Sequence, residues 1–541
     1  MTPNTNKILL FVLFFSSIVL PQSDFNKDSV HKYISVLADD SLQGRGTGTE
    51  GERIAAEYLA GKFRQMGLEP AGDKRTYFQN IPMHGSFPLE SSDLRIYSDN
   101  RVYKLMLNDD YLIYKPGEQN FQPTPVPLVF VGYGITAPEF DYNDYQSVDV
   151  EGRIVVFLEG EPASDDKNYF NGNIPTIYSY PEAKQRIALA HGAIGSIMIP
   201  DISDSNSWEK TRKRFEFEYM SLAYSVTSGI SILMNPAAAE FLFTGIAYSL
   251  QDIYRLQKEN NMISIVLSTE ISFKGEFKEK DFISKNIIGE IEGTDHELKN
   301  TYMVISAHYD HLGIGPPVDG DSVYNGAFDN AAGVAAVLQL AGMFAESENR
   351  TRRSVLFILL TGEEKGLLGS TYYVDHSVVP LYKTVANLNI DGISLFDSVK
   401  SIIGVGAEYS TLSTFLSKTA DDFNLSIVSI PPVFDQYESF FRSDQIAFAM
   451  AGVPSLLISE GLKYVHLSDA EGLERILNYS QNIYHTPFDD LSQPMNLDAA
   501  VQYLNIVYDF CKRILNSETK PEWNQNSPFV YERLRTIAEK R

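Results

Sequence analysis

Five residues of metal-ligand type each stand where a predicted strand or helix of this chain begins or ends. They are His308 in SAHYDHLG, Asp329 in NGAFDNAAG, Glu364 in TGEEKG, Asp391 in NLNIDG and His485 in YHTPFDD. This mixture of imidazole and carboxylate groups suits zinc. Two histidines and three carboxylates are enough for two ions if one carboxylate bridges them. The chain must therefore fold so that distant strand ends meet, and the pattern predicts a hydrolase with two metal ions.

Apolar runs alternate with helical patterns from about Asn286 onwards. MVISA, VLFILL, TVANLNI and VPSLLIS are typical of buried strands, whereas AAGVAAVLQLAGMFAE and LDAAVQYLNIVYDFCKRIL are typical of helices. This alternation predicts an α/β fold with a mostly parallel sheet flanked by helices. His308, the pair Glu363 and Glu364, and Asp391 follow three different strands. Because ligands bind at the carboxyl ends of parallel strands, the three sites should lie at one edge.

The adjacent glutamates predict a division of labour. Neighbouring side chains point in different directions, so both can hardly bind the same ion. We assign Glu364 as a ligand and Glu363 as the general base. Asp310 is expected to hold the ring of His308. His311 is the weaker candidate, because alternation along an extended segment would turn it away from the ions.

One assignment has a simple structural alternative. Asp329 precedes a predicted helix, where a carboxylate could serve only as a helix cap. Its position between His308 and the glutamate pair favours a ligand.

The length of 541 residues predicts two to three domains. The expected segments are a signal peptide (1–23), an N-terminal part of the main domain (24–121), a β-rich insert (122–267), the rest of the main domain with the candidate metal ligands (268–517) and a tail (518–541). Helical spacing occurs in VHKYISVLADDSLQ and ERIAAEYLAGKFRQMGL. The GRGTGTEG segment between them is interpreted as a flexible connecting loop, since a dinucleotide fingerprint would require a preceding strand.

Composition excludes several classes of protein. A net charge of −25 argues against a nucleic-acid partner. The apolar run from Ile8 to Leu20 is long enough for a signal peptide but short for a bilayer span. It therefore predicts an exported protein, periplasmic or extracellular. No membrane contact is expected beyond an uncleaved leader. The single cysteine, Cys511, excludes an internal disulfide framework and a thiolate-rich zinc site.

Six motifs, in order, resemble those of a known family. HYDHLG, NGAFDNAAGVA, TGEEKGLLGS, NLNIDG, RSDQIAFAMAGVPSLL and YHTPFDD are similar to the motifs of the zinc aminopeptidases that include bacterial leucyl-type aminopeptidases and glutamate carboxypeptidase II, peptidase family M28. The fold of this family is that of the zinc peptidases and phosphorylase-like hydrolases. VPLVFVGYG, VDVEGRIVVFLEG and AKQRIALAHGAIGSIMIPD resemble a protease-associated domain, inserted into the peptidase.

The resemblance implies a role for each site residue. Asp329 would bridge two zinc ions, His308 and Asp391 would bind one, and Glu364 and His485 the other. Glu363 matches the general base, Tyr484 a tyrosine that stabilises the oxyanion in some members, and the bond after Asp329 a cis peptide. Gln445 departs from the family, which often has histidine there, and this raises a question about substrate shaping.

Several functions fit this family. The leading hypothesis is an exported aminopeptidase that acts on peptides with a free N-terminus. A carboxypeptidase of the glutamate type would need cationic residues for a free carboxylate, and Arg442 is the only arginine close to a cleft motif. Glutaminyl cyclases use one zinc, and a receptor-like binding protein would have lost the ligands. The sequence reveals neither the preferred N-terminal residue nor the oligomeric state.

Overall fold

The computed structural model describes residues 25–538 except 99–100, 116–120, 167–168, 171, 173–175, 202–206, 226–228 and 432–439. The predicted signal peptide lies outside the described residues. The helices are α1 (Lys27–Leu37), α2 (Glu50–Met66), α3 (Pro181–Ala190), α4 (Ser207–Arg214), α5 (Pro236–Ala239), α6 (Leu250–Lys258), α7 (Gly333–Ala345), α8 (Leu368–Asp375), α9 (Leu412–Asp422), α10 (Gln445–Met450), α11 (Asp469–Asn478), α12 (Leu497–Asn516) and α13 (Val530–Ala538).

The strands are β1 (Glu69–Pro70), β2 (Phe78–Pro88), β3 (Asp93–Ser98), β4 (Arg101–Leu105), β5 (Tyr111–Lys115), β6 (Phe121–Val131), β7 (Thr136–Ala137), β8 (Tyr142–Asn143), β9 (Ile154–Leu158), β10 (Gly195–Ile199), β11 (Tyr219–Leu222), β12 (Ile230–Met234), β13 (Ser264–Lys274), β14 (Phe277–Ile291), β15 (Tyr302–His308), β16 (Gly313–Val318), β17 (Asp321–Tyr324), β18 (Ser354–Leu360), β19 (Thr384–Asn389), β20 (Ser401–Val405), β21 (Ser426–Ile427) and β22 (Ser455–Glu460).

A mixed sheet forms the centre of the molecule. Its strand order is β11-β2-β14-β18-β15-β19-β22-β20-β21, and β1 pairs with β14. The four middle strands β18, β15, β19 and β22 are parallel, whereas β14, β2 and β11 on one side are antiparallel. These middle strands are the four apolar runs that the sequence identifies. The predicted α/β fold with a mostly parallel centre is confirmed.

Helices cover both faces of this sheet, as its continuous apolar strands require. In β18, Val355, Phe357 and Leu359 pack in the core that also contains α1, α2, α7 and α12. The alternate residues of β18 face the other way, where they pack with Tyr373 of α8 and Phe448 of α10.

Local sequence explains where the two N-terminal helices begin and end. The Asn26 side chain accepts the Ser29 N–H at 2.9 Å and starts α1. Thr49 caps α2, and Gly67 ends it in the left-handed conformation. Within the described residues, one helical stretch, Ala327–Ala345, is long and apolar enough to cross a bilayer. Because 83% of its most apolar window is buried in the protein, core packing accounts for its composition.

A second, eight-stranded sheet forms the insert. Its order is β4-β3-β13-β6-β9-β10-β12-β5, and it runs along the chain from Asp93 to Lys274. It therefore extends beyond the predicted limits of 122 and 267 on both sides. The reason is non-local pairing: β3 pairs with residues of β13 that are 173–181 positions away, which no local pattern reveals. The likeness of this insert to a protease-associated domain stays a prediction.

The insert is joined to the central sheet by one of its own segments. Strand β11 lies within the insert in sequence, yet it pairs antiparallel with β2 at the edge of the central sheet. Nearby, the Tyr224 hydroxyl donates to Asp375 Oδ2 of α8 at 2.7 Å. These contacts bring the insert next to the central sheet and α8.

Candidate metal centre

Three neighbouring strands deliver polar residues to one edge of the central sheet. His308 is the last residue of β15, Glu363 and Glu364 follow β18, and Asp391 follows β19. Because β18, β15 and β19 are adjacent and parallel, their carboxyl ends meet, as the sequence predicts.

Asp329 lies between His308 and His485, the two histidines predicted as metal ligands. Its Oδ1 is 3.2 Å from His308 Nε2, and its Oδ2 is 3.2 Å from His485 Nε2. Asp391 Oδ1 completes the first set at 3.3 Å from His308 Nε2. Glu364 Oε2 completes the second set at 3.1 Å from His485 Nε2. The five residues thus form two groups that share one carboxylate.

The spacing of these atoms fits metal ligands. Bonds of about 2.0 Å in a tetrahedral zinc site place neighbouring ligand atoms ~3.3 Å apart. The four nitrogen–oxygen distances above lie between 3.1 and 3.3 Å. His308, Asp329 and Asp391 form one candidate group, and His311, Asp329, Glu364 and His485 form another. Their nitrogen and oxygen donors are those that zinc accepts.

The carboxylates and imidazoles change one another's protonation. Burial lowers the pKa of His485, but Glu364 and Asp329 raise it to about 10. Burial lowers the pKa of His308, whereas Glu363 and Asp391 raise it well above its usual value. Burial opposes ionisation of Asp329, yet its hydrogen bonds to both histidines hold its pKa well below the usual range. The charged forms of these imidazoles and carboxylates therefore stabilise one another.

Hydrogen bonds to the main chain around Asp329 fix its position between the two histidines. Asp489 accepts the N–H groups of Phe328 and Asp329 at 2.9 and 3.0 Å, one on each carboxylate oxygen. The Asn330 side chain donates to Ile390 O and accepts the N–H groups of Gly333 and Gly392. The expected cis peptide Asp329–Asn330 is present.

Glu363 and Tyr484 lie at the same centre. Burial, together with Glu364 and Asp391, raises the pKa of Glu363 well above its usual range. The ring of Tyr484 stacks on His485 with centroids 3.8 Å apart and is 37% exposed. Burial and the nearby carboxylates Asp329 and Glu364 raise the pKa of its hydroxyl group. Tyr484 is therefore a neutral donor near neutral pH.

Asp310 supports the centre in a different way from the one expected. Its main-chain oxygen, at 3.2 Å, is the nearer partner of His308 Nδ1, while its carboxylate is 3.9 Å away. That carboxylate accepts the Thr47 hydroxyl at 2.9 Å and the Glu363 N–H at 3.2 Å. Asp310 thus fixes the main chain at Glu363 as well as the ring of His308.

The GRGTGTEG segment is a buried part of this support, so its interpretation as a flexible loop is wrong. Arg45 is fully buried and donates to the carbonyl groups of Tyr309 at 2.7 Å, Asn325 at 2.6 Å and Gly326 at 3.0 Å, and also to Leu37. The sequence did not indicate this supporting role of Arg45, because the glycines around it are as typical of a mobile loop as of a closely packed one.

Replacing Arg45 should destabilise the protein. In Arg45→Met, four buried carbonyl groups lose a donor, at a cost of ~1–3 kcal/mol each before relaxation. We expect the first transition in differential scanning calorimetry to fall by ~5 °C or more. Arg53→Met is the matched control, since the Arg53 side chain is 54% exposed and pairs with Glu50 on the surface of α2. Equal transitions in the two variants would contradict this role.

His311 also differs from expectation. His311 faces the centre, with Nδ1 2.6 Å from Glu364 Oε1. Strand β15 ends at His308, so the alternation that would turn His311 away does not reach it.

Gln445 is buried, and both polar atoms of its amide group make hydrogen bonds. Its side chain donates to Phe440 O and accepts from Asn389, the last residue of β19, two positions before Asp391. These hydrogen bonds tie Gln445 to strand β19 and to Phe440.

Comparison with known proteins agrees with this geometry. Residues 286–511 match the model of peptidase family M28. A protein described as probable leucine aminopeptidase 2 from Aspergillus oryzae is 25% identical over 292 residues, or 52% of this chain and 54% of that protein. A vacuolar membrane protease from Phaeosphaeria nodorum is 34% identical over 94 residues, 17% of this chain and 9% of its own. The chain thus spans about half or less of the length of these relatives.

The overall fold has a counterpart among solved structures. An aminopeptidase from Aneurinibacillus sp. strain AM-1 aligns with a TM-score of 0.53 and 18% identity, over 92% of this chain and 98% of that one. The matched motifs contain the residues that meet at the sheet edge. Residues 286–511 therefore form a region of peptidase family M28.

Proposed function

We propose that this protein is a zinc-dependent aminopeptidase that uses two ions and a glutamate general base. The observation that carries the proposal is the position of Asp329, whose two oxygens each lie 3.2 Å from a different histidine. His308 and Asp391 would hold one zinc ion, and Glu364 and His485 the other. The match to peptidase family M28 and the similarity to a probable leucine aminopeptidase support this assignment.

The residues of the centre divide the work of peptide hydrolysis. The chemistry that two bound zinc ions supply is polarisation of the scissile carbonyl group and acidification of the attacking water. Glu363 would accept a proton from that water and deliver it to the leaving amine. Tyr484 would donate a hydrogen bond to the oxygen that becomes negative during the attack.

A cavity beside the centre supports an aminopeptidase with an apolar preference. Its volume is about 380 Å³, and Asp329 and Asp391 lie in its wall. Most of its other lining residues are apolar, among them Phe328, Phe396 and Leu457. Burial raises the pKa of Glu460, in the same wall, to about 8, which keeps that side chain mostly uncharged at neutral pH. The cavity would thus take a large apolar side chain of the N-terminal residue.

The lining of this cavity weighs against a carboxypeptidase. Among the described residues that line it, none is lysine or arginine, so the cavity supplies no cation for a free carboxylate. Both ligand groups are complete, which disfavours a one-zinc cyclase. Glu363 is present as well, which disfavours a receptor-like binding protein.

A substrate panel with metal removal tests the proposal. We expect hydrolysis of leucine anilide and of free-amine peptides, little cleavage of N-acetylated ones, and no effect of C-terminal amidation. Chelation should abolish the activity, and zinc should restore it. Activity that survives chelation would refute the metallopeptidase, whereas loss of activity on C-amidated peptides alone would favour a carboxypeptidase.

Export forms part of the proposal. It rests on the apolar run from Ile8 to Leu20 after a positively charged start. The N-terminal sequence of the mature protein, isolated from the medium or periplasm, tests it.

A further inference from the structure

His311 is a buried histidine at the centre that the five-ligand scheme leaves without a role. Its Nδ1 is 2.6 Å from Glu364 Oε1 and 3.9 Å from Asp329 Oδ2. The other oxygen of Glu364, Oε2, is the one that faces His485 Nε2 at 3.1 Å. The two oxygens of Glu364 therefore have different neighbours.

Distances distinguish a ligand from a supporting group. The ligand-type contacts of the centre all lie at 3.1–3.3 Å, as atoms bound to a common ion should. A separation of 2.6 Å is too short for that pattern and matches a hydrogen bond to a carboxylate. The 3.9 Å to Asp329 is too long for it. His311 thus fits a donor to Glu364 better than a further ligand.

The surroundings hold the imidazole ring in place. His311 is fully buried. Gly326, at φ +61°, lies against the ring so closely that a Cβ there would come 2.6 Å from His311 Cγ. The main chain of His311 donates to Arg45 O, and the edge of the ring meets His485 with centroids 5.7 Å apart. The ring therefore has a fixed orientation toward Glu364.

We propose that His311 is a positioning residue whose Nδ1–H holds Glu364 Oε1, so that Oε2 alone is presented to the ion shared with Asp329 and His485. A carboxylate fixed in this way loses less freedom when the ion binds, which raises affinity. The inference rests on the proposed two-zinc centre.

The shape of asparagine and leucine makes this role testable. The Asn amide nitrogen occupies nearly the position of Nδ1, so His311→Asn can keep the donor, whereas His311→Leu fills the space without one. We measure the number of zinc ions per chain and the Kd of each by chelator competition. In the leucine variant we expect the second ion to bind ~10–100-fold more weakly. The asparagine variant should stay within ~3-fold of the wild type.

Two controls separate positioning from damage to the fold. His466→Leu, at a histidine whose side chain is 76% exposed and pairs with Asp397, should leave both affinities unchanged. The circular dichroism spectrum of the metal-free leucine variant should match that of the metal-free wild type. Should the leucine variant not fold, His311→Gln replaces it, because its amide reaches the position of Nε2 and not of Nδ1. It should lose affinity in the same way.

The possible results point in different directions. Wild-type affinity for both ions in His311→Leu, or in His311→Gln where that replaces it, would overturn the inference and leave the proposed function intact. So would the loss of one imidazole from the zinc X-ray absorption spectrum of that variant, since His311 would then be a ligand. A wild-type protein that binds no zinc would instead refute the proposed function.

Discussion

Glu363→Gln should keep both zinc ions and lose ~10²–10⁴-fold in kcat, the range that a general base contributes. Glutamine has almost the same shape as glutamate, but its amide cannot accept the proton of the attacking water. In the structure Glu363 is part of a group with His308 and Glu364 but belongs to neither of the two bridged groups. Turnover of leucine anilide and zinc content by mass spectrometry are measured on the same sample.

The next residue provides the matched control for Glu363. Glu364→Gln makes the same chemical change at a position 3.1 Å from His485 Nε2, so it should lose zinc as well as activity. Wild-type kcat in Glu363→Gln with two ions bound would assign the base to another residue. Loss of zinc from both variants alike would mean that the two glutamates share the ligand role.

The sheet edge could be predicted because it depends on local patterns and one general rule. The apolar runs that precede His308, Glu363 and Asp391 are long and uninterrupted, so each is recognised as a strand without knowledge of its neighbours. Parallel strands then bring their carboxyl ends together. His308, Glu363, Glu364 and Asp391 could therefore be placed together at one edge without information about side-chain packing.

The supporting residues could not be predicted in this way, because they act through contacts that are distant in sequence. Arg45 reaches Tyr309, Asn325 and Gly326, more than 260 residues away. Asp489 holds the main chain of Asp329 across 160 residues. His311 follows the end of a strand, where the two-residue alternation no longer applies. The limits of the insert were missed for the same reason, since β3 finds its partner in β13.

Asp329→Asn should have the largest effect on the metal centre, because both bridged groups depend on this side chain. Its two carboxylate oxygens each face a different histidine at 3.2 Å, and an amide has only one oxygen to offer. We expect zinc content to fall from two ions per chain to one or fewer. kcat should fall by ~10³-fold or more, as for loss of a group on which several others depend.

A buried aspartate outside the centre shows what the loss of a buried carboxylate does to the stability of the fold alone. Asp144 of the insert is 8% exposed and accepts the N–H groups of Tyr133 and Ile135, much as Asp489 does beside the centre. Asp144→Asn should leave the zinc content at two even if it lowers the melting temperature. Two ions bound with wild-type affinity in Asp329→Asn would show that each ion is held without a shared carboxylate, and the two-zinc arrangement proposed for these five residues would be wrong.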